Sequence, residues 1–84
     1  MPMNESIETR LILIIGTLLD IDPKKILCDS NLAFELGMDS MEAVALAQEV
    51  EEEFEITIDD AEMDQIRTVE ELCELIESKV GAKK

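Results

Sequence analysis

Apolar residues recur every three or four positions along most of the chain, a spacing typical of α-helices that bury one face. One such stripe runs through residues 7–18, a second through 43–54 and a third through 69–80. Met63 and Ile66 indicate a short helix between the second and third stripes. The pattern predicts an all-α fold, a small four-helix bundle with three longer helices and a short third one.

The segment between the first two helices has no sustained apolar period. Ser6 or Asn4 can cap the start of the first helix, and Pro23 disfavours helix in the residues just before it. Residues 22–38 are therefore predicted to form a long loop with one short turn. A loop of this length is unusual in so small a domain, and such loops are often functional.

The second helix has a clear start signal. Asp39 followed by Glu42 matches the spacing of a capping box, which makes Ser40 the first helical residue. Ser40 then lies beside the unpaired N–H groups and the positive end of the helix dipole. The other boundaries are predicted at Asp59 or Asp60 for the third helix, at Thr68 and Glu71 for the start of the fourth, and at Gly81 for its end.

Composition narrows the function classes. The chain has 84 residues, with 7 Lys and Arg against 21 Asp and Glu and no His, for a net charge of −14. This length predicts one domain over residues 1–84. The acidic charge argues against nucleic-acid binding, and the lack of His excludes His-dependent nucleophiles and His-ligated zinc. No apolar run is long enough to span a membrane and residues 1–8 lack a signal peptide's basic start, so a cytoplasmic protein is predicted.

The acidic charge is concentrated in one part of the chain. Residues 35–77 hold 16 acidic residues and one basic residue, Arg67, and five of the seven positions from 49 to 55 are glutamate. These glutamates have no lysine at i+4 to offset their repulsion. We interpret the segment as a surface that attracts basic partner proteins, and the charge also favours a monomer.

Cysteines and carboxylates do not form a recognisable metal motif. Cys28 and Cys73 stand 45 positions apart, and we expect both to be small core residues rather than a disulfide. The carboxylate pairs at 20–22 and 59–60 lack the spacing of a calcium loop. We predict no dedicated metal site, although loose divalent-cation binding is compatible with the charge.

The residues around Ser40 carry a family resemblance. Residues 36–41 read LGMDSM, the helix that follows ends in EEEF at 51–54, and residues 66–69 read IRTV. With Asn31-Leu32, Ile58 and Asp60, this pattern resembles the acyl carrier proteins over residues 6–80. In that family a serine at the start of the second helix bears 4′-phosphopantetheine.

The resemblance implies that Ser40 is the attachment site. A phosphopantetheinyl transferase would move the group from coenzyme A, and its terminal thiol would hold acyl groups as thioesters. The residues themselves agree, because the chain has no His and no nearby Lys that could activate Ser40 as a nucleophile. Ser40 is thus predicted to be the substrate of another enzyme, and the protein to be a carrier rather than an enzyme.

The resemblance also assigns further site residues. Acidic positions expected to meet basic docking patches on the transferase and on acyl-loading and acyl-processing enzymes are Asp39, Glu42, Glu51, Glu52, Asp60 and Asp64. Positions expected to line an apolar acyl cleft are Val50, Ile58, Met63 and Ile66. For these four a plain core role is an equally good interpretation, and both can hold at once.

Three positions depart from the family pattern and keep alternatives open. Met41 stands where the family customarily has Leu. Ala45 stands where family members in fatty acid synthesis commonly have an acidic residue, and Gln48 where they commonly have an apolar one. The last two weaken the link to the housekeeping enzymes of fatty acid synthesis, which leaves a dedicated carrier of a specialised pathway as an alternative. Two other classes remain: a carrier of aminoacyl, peptidyl or D-alanyl cargo, and an unmodified acidic helical interaction module.

Overall fold

The computed structural model describes residues 6–82, which contain four α-helices. They are α1 (Ile7–Leu19), α2 (Ser40–Phe54), α3 (Asp60–Asp64) and α4 (Val69–Ala82), with a 3₁₀ turn at Pro23–Lys25. No strand forms in the described range, where Asn31 and Thr68 make only an isolated bridge. The predicted all-α bundle with a short third helix is confirmed.

The core lies between α1, α2 and α4. Each helix contributes the apolar stripe predicted from its sequence, and the fully buried side chains from these helices are Leu11, Ile15, Leu46, Val50, Val69, Leu72 and Ile76. Burial of these side chains supplies most of the favourable free energy of folding. The short helix α3 contributes no buried residue to this core.

Helix ends follow the local signals closely. The Ser6 hydroxyl accepts a hydrogen bond from the Thr9 N–H at 3.1 Å and caps α1, whereas Asn4 lies outside the described residues. At the start of α4, the Glu71 N–H donates to the Thr68 hydroxyl at 3.2 Å, and the Thr68 N–H donates to the Glu71 carboxylate at 3.1 Å. Both caps satisfy backbone N–H groups that a helix start leaves unpaired.

The loop between α1 and α2 is tied to the start of α4 by backbone hydrogen bonds. The Leu32 N–H donates to the Arg67 carbonyl at 2.8 Å, and the Glu70 N–H donates to the Cys28 carbonyl at 2.7 Å. Ile26 and Leu32 are buried in the core, so the loop is anchored by side chains as well. The loop holds more than the one short turn predicted: besides the 3₁₀ turn, residues 28–29 and 32–35 also form turns.

Two predictions about single residues are wrong. Gly81 does not stop α4, which continues to Ala82, because Gly81 keeps a helical backbone rather than a left-handed one. Cys28 is exposed in a turn rather than buried, although Cys73 is buried as predicted. Both cysteines are free thiols.

Candidate functional site

The start of α2 is fixed by a reciprocal pair of hydrogen bonds. The Asp39 carboxylate accepts from the Glu42 N–H at 2.8 Å, and the Glu42 carboxylate accepts from the Asp39 N–H at 3.1 Å. This confirms the predicted capping box and makes Ser40 the first residue of α2. Two of the predicted docking carboxylates thus also hold the helix start in place.

Ser40 is accessible and chemically unassisted. Its side chain is exposed, and within residues 6–82 its hydroxyl makes no hydrogen bond to another side chain. The N–H groups and the dipole of α2 favour an anion at this position, whereas the Asp39 carboxylate opposes one. A serine without a base beside it suits modification by another protein better than catalysis.

A groove of about 470 Å³ lies between α2 and the α3 region, and Ser40 is one of the residues that line it. Its α2 wall contains small residues, and its far wall combines apolar and acidic side chains. The lining residues are Ser40, Ala43, Val44, Ala47, Gln48, Glu51, Ile58, Asp60, Met63 and Asp64. A phosphopantetheine group on Ser40 would therefore have adjoining space, so the residues present fit that group.

The four predicted cleft residues separate into two pairs. Ile58 and Met63 line the groove. Val50 is completely buried in the core, and Ile66 is half-buried; neither lines the groove. A role for all four in holding an acyl chain stays a prediction.

The predicted docking carboxylates occupy different surroundings. Asp60, Asp64 and Glu51 lie around the groove with Ser40, and Glu52 is exposed next to Glu51 on α2. Glu51 is half-buried, and its carboxylate accepts a hydrogen bond from the Ile58 N–H at 2.7 Å. Glu51 therefore holds the segment between α2 and α3, a role that its place in a glutamate run does not indicate.

A basic residue from α1 relieves part of the glutamate repulsion. The Arg10 guanidinium donates through Nε to the Glu53 carboxylate at 2.9 Å and lies over the Phe54 ring, 4.7 Å from its centroid. Glu53 is 43 positions away in the sequence, so the absence of a lysine at i+4 gave no hint of this pairing. The repulsion inferred from the sequence is consequently overestimated at this end of α2.

A second ion pair links α3 to α4. The Lys79 ammonium lies 3.0 Å from the Glu62 carboxylate. The hydrogen bond from Lys79, with another from the Asp59 N–H, lowers the pKa of Glu62. Asp59 and Glu62 also form the capping box at the start of α3. Polar contacts thus hold the outer side of this short helix.

The two thiols face a small cavity of about 210 Å³ beside α4, away from Ser40. The Cys28 thiol donates a hydrogen bond to the Glu8 carboxylate, which raises its pKa. Burial, reinforced by the nearby Glu77 carboxylate, raises the pKa of Cys73 to about 11. Both thiols are therefore held in the protonated, weakly nucleophilic form at neutral pH.

Two further observations concern metals and membranes. Within residues 6–82, no three His, Cys, Asp or Glu side chains converge on a point that could hold a metal ion. None of the helices in that range is long and apolar enough to cross a bilayer.

Comparison with known proteins gives a consistent result. The family model of the phosphopantetheine attachment site matches residues 9–76. The chain is 42% identical over 69 residues to the acyl carrier protein of Phaeodactylum tricornutum, an alignment that covers 82% of this chain and 91% of that protein. It is 35% identical over 81 residues to the acyl carrier protein of Thermosynechococcus vestitus, covering 95% and 100%.

A solved structure gives the same fold. It belongs to a Mycobacterium tuberculosis protein that has been assigned as an acyl carrier protein, with a TM-score of 0.78 and 26% identity over 94% of this chain and all of the other. The fold and the matched family model together define a protein that bears phosphopantetheine and is not itself an enzyme. The chain belongs to the acyl carrier protein family.

Proposed function

We propose that Ser40 is the residue that bears 4′-phosphopantetheine and that the terminal thiol of this group carries acyl intermediates as thioesters. The observation that carries the proposal is the exposed Ser40 hydroxyl at the first position of α2, where Ser40 also lines the groove. The capping box fixes the backbone there, so a transferase meets Ser40 in one conformation.

The proposed cargo is an acyl chain of fatty acid biosynthesis or of a related lipid or polyketide pathway. The apolar groove wall formed by Ile58 and Met63, facing Ala43 and Ala47, supports this choice. An acyl chain lying there would bury apolar surface, whereas a charged aminoacyl group would gain little from these side chains.

The proposed partners are a phosphopantetheinyl transferase and acyl-loading and acyl-processing enzymes with basic docking patches. Glu52, Asp60 and Asp64 support this, since their exposed carboxylates lie on α2 and α3 beside the groove. Asp39 and Glu42 add negative charge at the start of α2 beside Ser40, and Glu51 adds it at the groove, while all three also make structural hydrogen bonds. A monomeric state and a cytoplasmic location stay predictions of the sequence.

Intact-mass measurement tests the attachment site. The protein is incubated with coenzyme A, magnesium and a phosphopantetheinyl transferase of broad specificity. We expect a mass gain of one phosphopantetheine, lost completely in Ser40→Ala. Ser78→Ala is the matched control, because Ser78 is also an exposed helical serine but lies on α4, and it should gain the full mass.

Two outcomes would contradict the proposal. Modification of Ser40→Ala would place the group on another residue. Lack of modification by several transferases would favour the unmodified interaction module. The mass of protein isolated from its own cells then identifies the group bound to the thiol. An added mass that matches an acyl group supports the proposed pathway class, and one that matches an aminoacyl group contradicts it.

A further inference from the structure

Phe34 is the most exposed large apolar side chain among the described residues. It is 89% exposed, whereas the other phenylalanine, Phe54, is buried in the core. Transfer of a phenyl ring out of water is strongly favourable, so leaving it in solvent forgoes a large stabilisation. Among residues 6–82, Phe34 and Met41, which is 82% exposed beside Ser40, are the two large apolar side chains most open to a partner.

The exposure of Phe34 does not come from a loosely held loop. The Asn31 side-chain oxygen accepts hydrogen bonds from the Ala33 N–H at 3.0 Å and the Phe34 N–H at 2.8 Å. The Asn31 N–H donates in turn to the Glu35 carboxylate at 2.6 Å. Leu32, two residues before Phe34, is buried in the core. The turn is thus built to hold the ring outward, which lowers the entropic cost of docking it.

The same turn places Phe34 within reach of a partner that acts on Ser40. The Met38 N–H donates to the Leu32 carbonyl at 2.9 Å, which closes residues 32–38 into a compact loop directly before α2. Following the backbone through this hydrogen bond, Phe34 and Ser40 lie within roughly 20 Å of each other. A standard protein interface covers about 800 Å² on each partner, which is wide enough to include both.

Charge around the ring specifies the complementary surface. Glu35 follows Phe34 directly, Asp39 lies just beyond, and residues 35–77 carry only Arg67 as a basic residue. A pocket that accepts this ring must be apolar inside and must offer Lys or Arg at its edge, because an acidic edge would be repelled.

Among enzymes that act on a carrier, the transferase has the most restricted docking. Enzymes that act on the distal thiol can lie at the end of a long arm. The transferase must bring the phosphate of coenzyme A to the Ser40 oxygen itself, so its footprint has to surround Ser40. We infer that Phe34 is a docking anchor that inserts into an apolar, basic-edged pocket of the phosphopantetheinyl transferase; this rests on the proposed attachment at Ser40.

Transfer kinetics test this inference. The rate of phosphopantetheine incorporation is measured against carrier concentration for the unaltered chain, Phe34→Ala, Phe34→Lys and Leu27→Ala, with a broad-specificity transferase as the probe. Leu27 is the matched control, because it is an exposed apolar residue of the same loop, 60% exposed. Melting curves check that each variant folds, and substitutions at exposed sites should change them little.

We expect kcat/KM to fall by about tenfold for Phe34→Ala, through KM rather than kcat, as for the loss of a docking anchor. Phe34→Lys should fall further because a basic pocket edge repels it. Leu27→Ala should stay within about twofold. Equal kcat/KM for Phe34→Ala and the unaltered chain would overturn the inference while leaving Ser40 attachment intact. Lack of incorporation into the unaltered chain would instead contradict the proposed function.

Discussion

The two sides of α2 are built differently. On one side α2 packs with α1 and α4 around side chains that are completely excluded from solvent, such as Leu46 and Ile76. On the other side it faces the groove and α3, which contributes no fully buried residue and is held by the partly buried Met63 and by polar contacts. The first side provides stability and keeps Ser40 in place. The second can change at low energetic cost, which suits a surface that receives different occupants.

The largest expected effect is a loss of stability when a core residue on the packed side of α2 is truncated. Ile76→Ala removes a fully buried side chain, and such changes cost about 2–5 kcal/mol. A domain of this size has only about 3–5 kcal/mol of net stability, so the variant should be largely unfolded. Urea denaturation followed by circular dichroism measures this. Met63→Ala on the groove side is the control and should cost less than half as much; equal losses would abolish the distinction between the two sides.

A smaller effect is expected where the groove side is tied to α2. Glu51→Ala removes the acceptor of the Ile58 N–H and should reduce the free energy of unfolding by about 1–2 kcal/mol. Hydrogen exchange at the Ile58 amide should accelerate at the same time. Glu52→Ala removes an equal charge from the neighbouring exposed position, and its stability should change by no more than about 0.5 kcal/mol. Equal free energies of unfolding for the two variants would mean that the Glu51 hydrogen bond does not stabilise the segment between α2 and α3.

The same two glutamates also test the hypothesis that the acidic surface attracts basic partner enzymes. Glu51→Lys would disturb both the segment between α2 and α3 and the surface charge, whereas Glu52→Lys changes the surface charge alone. Weaker, salt-dependent binding of Glu52→Lys to the transferase is therefore the clean test of electrostatic steering.

A third effect appears only at alkaline pH, on the packed side. Burial raises the pKa of Cys73 from 9.0 to about 11. A raised pKa means that folding favours the protonated thiol. The contribution of this thiol to the free energy of unfolding is therefore complete below pH 9 and is lost as pH rises through 11. Thermal melts from pH 8 to 11 should fall less steeply for Cys73→Ala than for the unaltered chain. Cys28→Ala, at the exposed thiol, should differ less; parallel curves for Cys73→Ala would contradict the argument.

The smallest effect concerns the ion pair on the outer side of α3. Lys79→Met should lower the melting temperature by less than about 3 °C, because ion pairs near the surface contribute little and are screened by salt. The difference from the unaltered chain should vanish at 1 M salt. A larger, salt-independent loss would mean that α3 is held more firmly than its exposure indicates.

Most of the fold could be predicted because its signals are local. The start of α2 was predicted to the residue, since Asp39 and Glu42 cap it within one turn. Gly81 shows the limit of such signals: a glycine permits a helix end without requiring one, and here α4 continues through it. Cys28 shows another limit, because the exposure of a loop residue depends on where the loop is anchored.

The site was predictable in part for the same reason. Ser40 and the acidic face followed from a contiguous motif and a family resemblance. The pairing of Arg10 with Glu53 and the bond from Ile58 to Glu51 join residues distant in the chain or on different elements, so spacing could not reveal them. Phe34 carries no helical period, and only its exposure in the fold draws attention to it.

Arg10 has a consequence for how partners approach. It offsets negative charge at the Glu53 end of α2, thirteen residues and roughly 20 Å along the helix axis from Ser40. Asp39 and Glu42 at the Ser40 end have no such cation among their hydrogen-bond partners in the described range. Residues 49–55 nevertheless hold five glutamates against this one arginine, so the end far from Ser40 stays strongly negative. The field of α2 therefore attracts a basic surface along the whole helix, and Arg10 only moderates that attraction at one end.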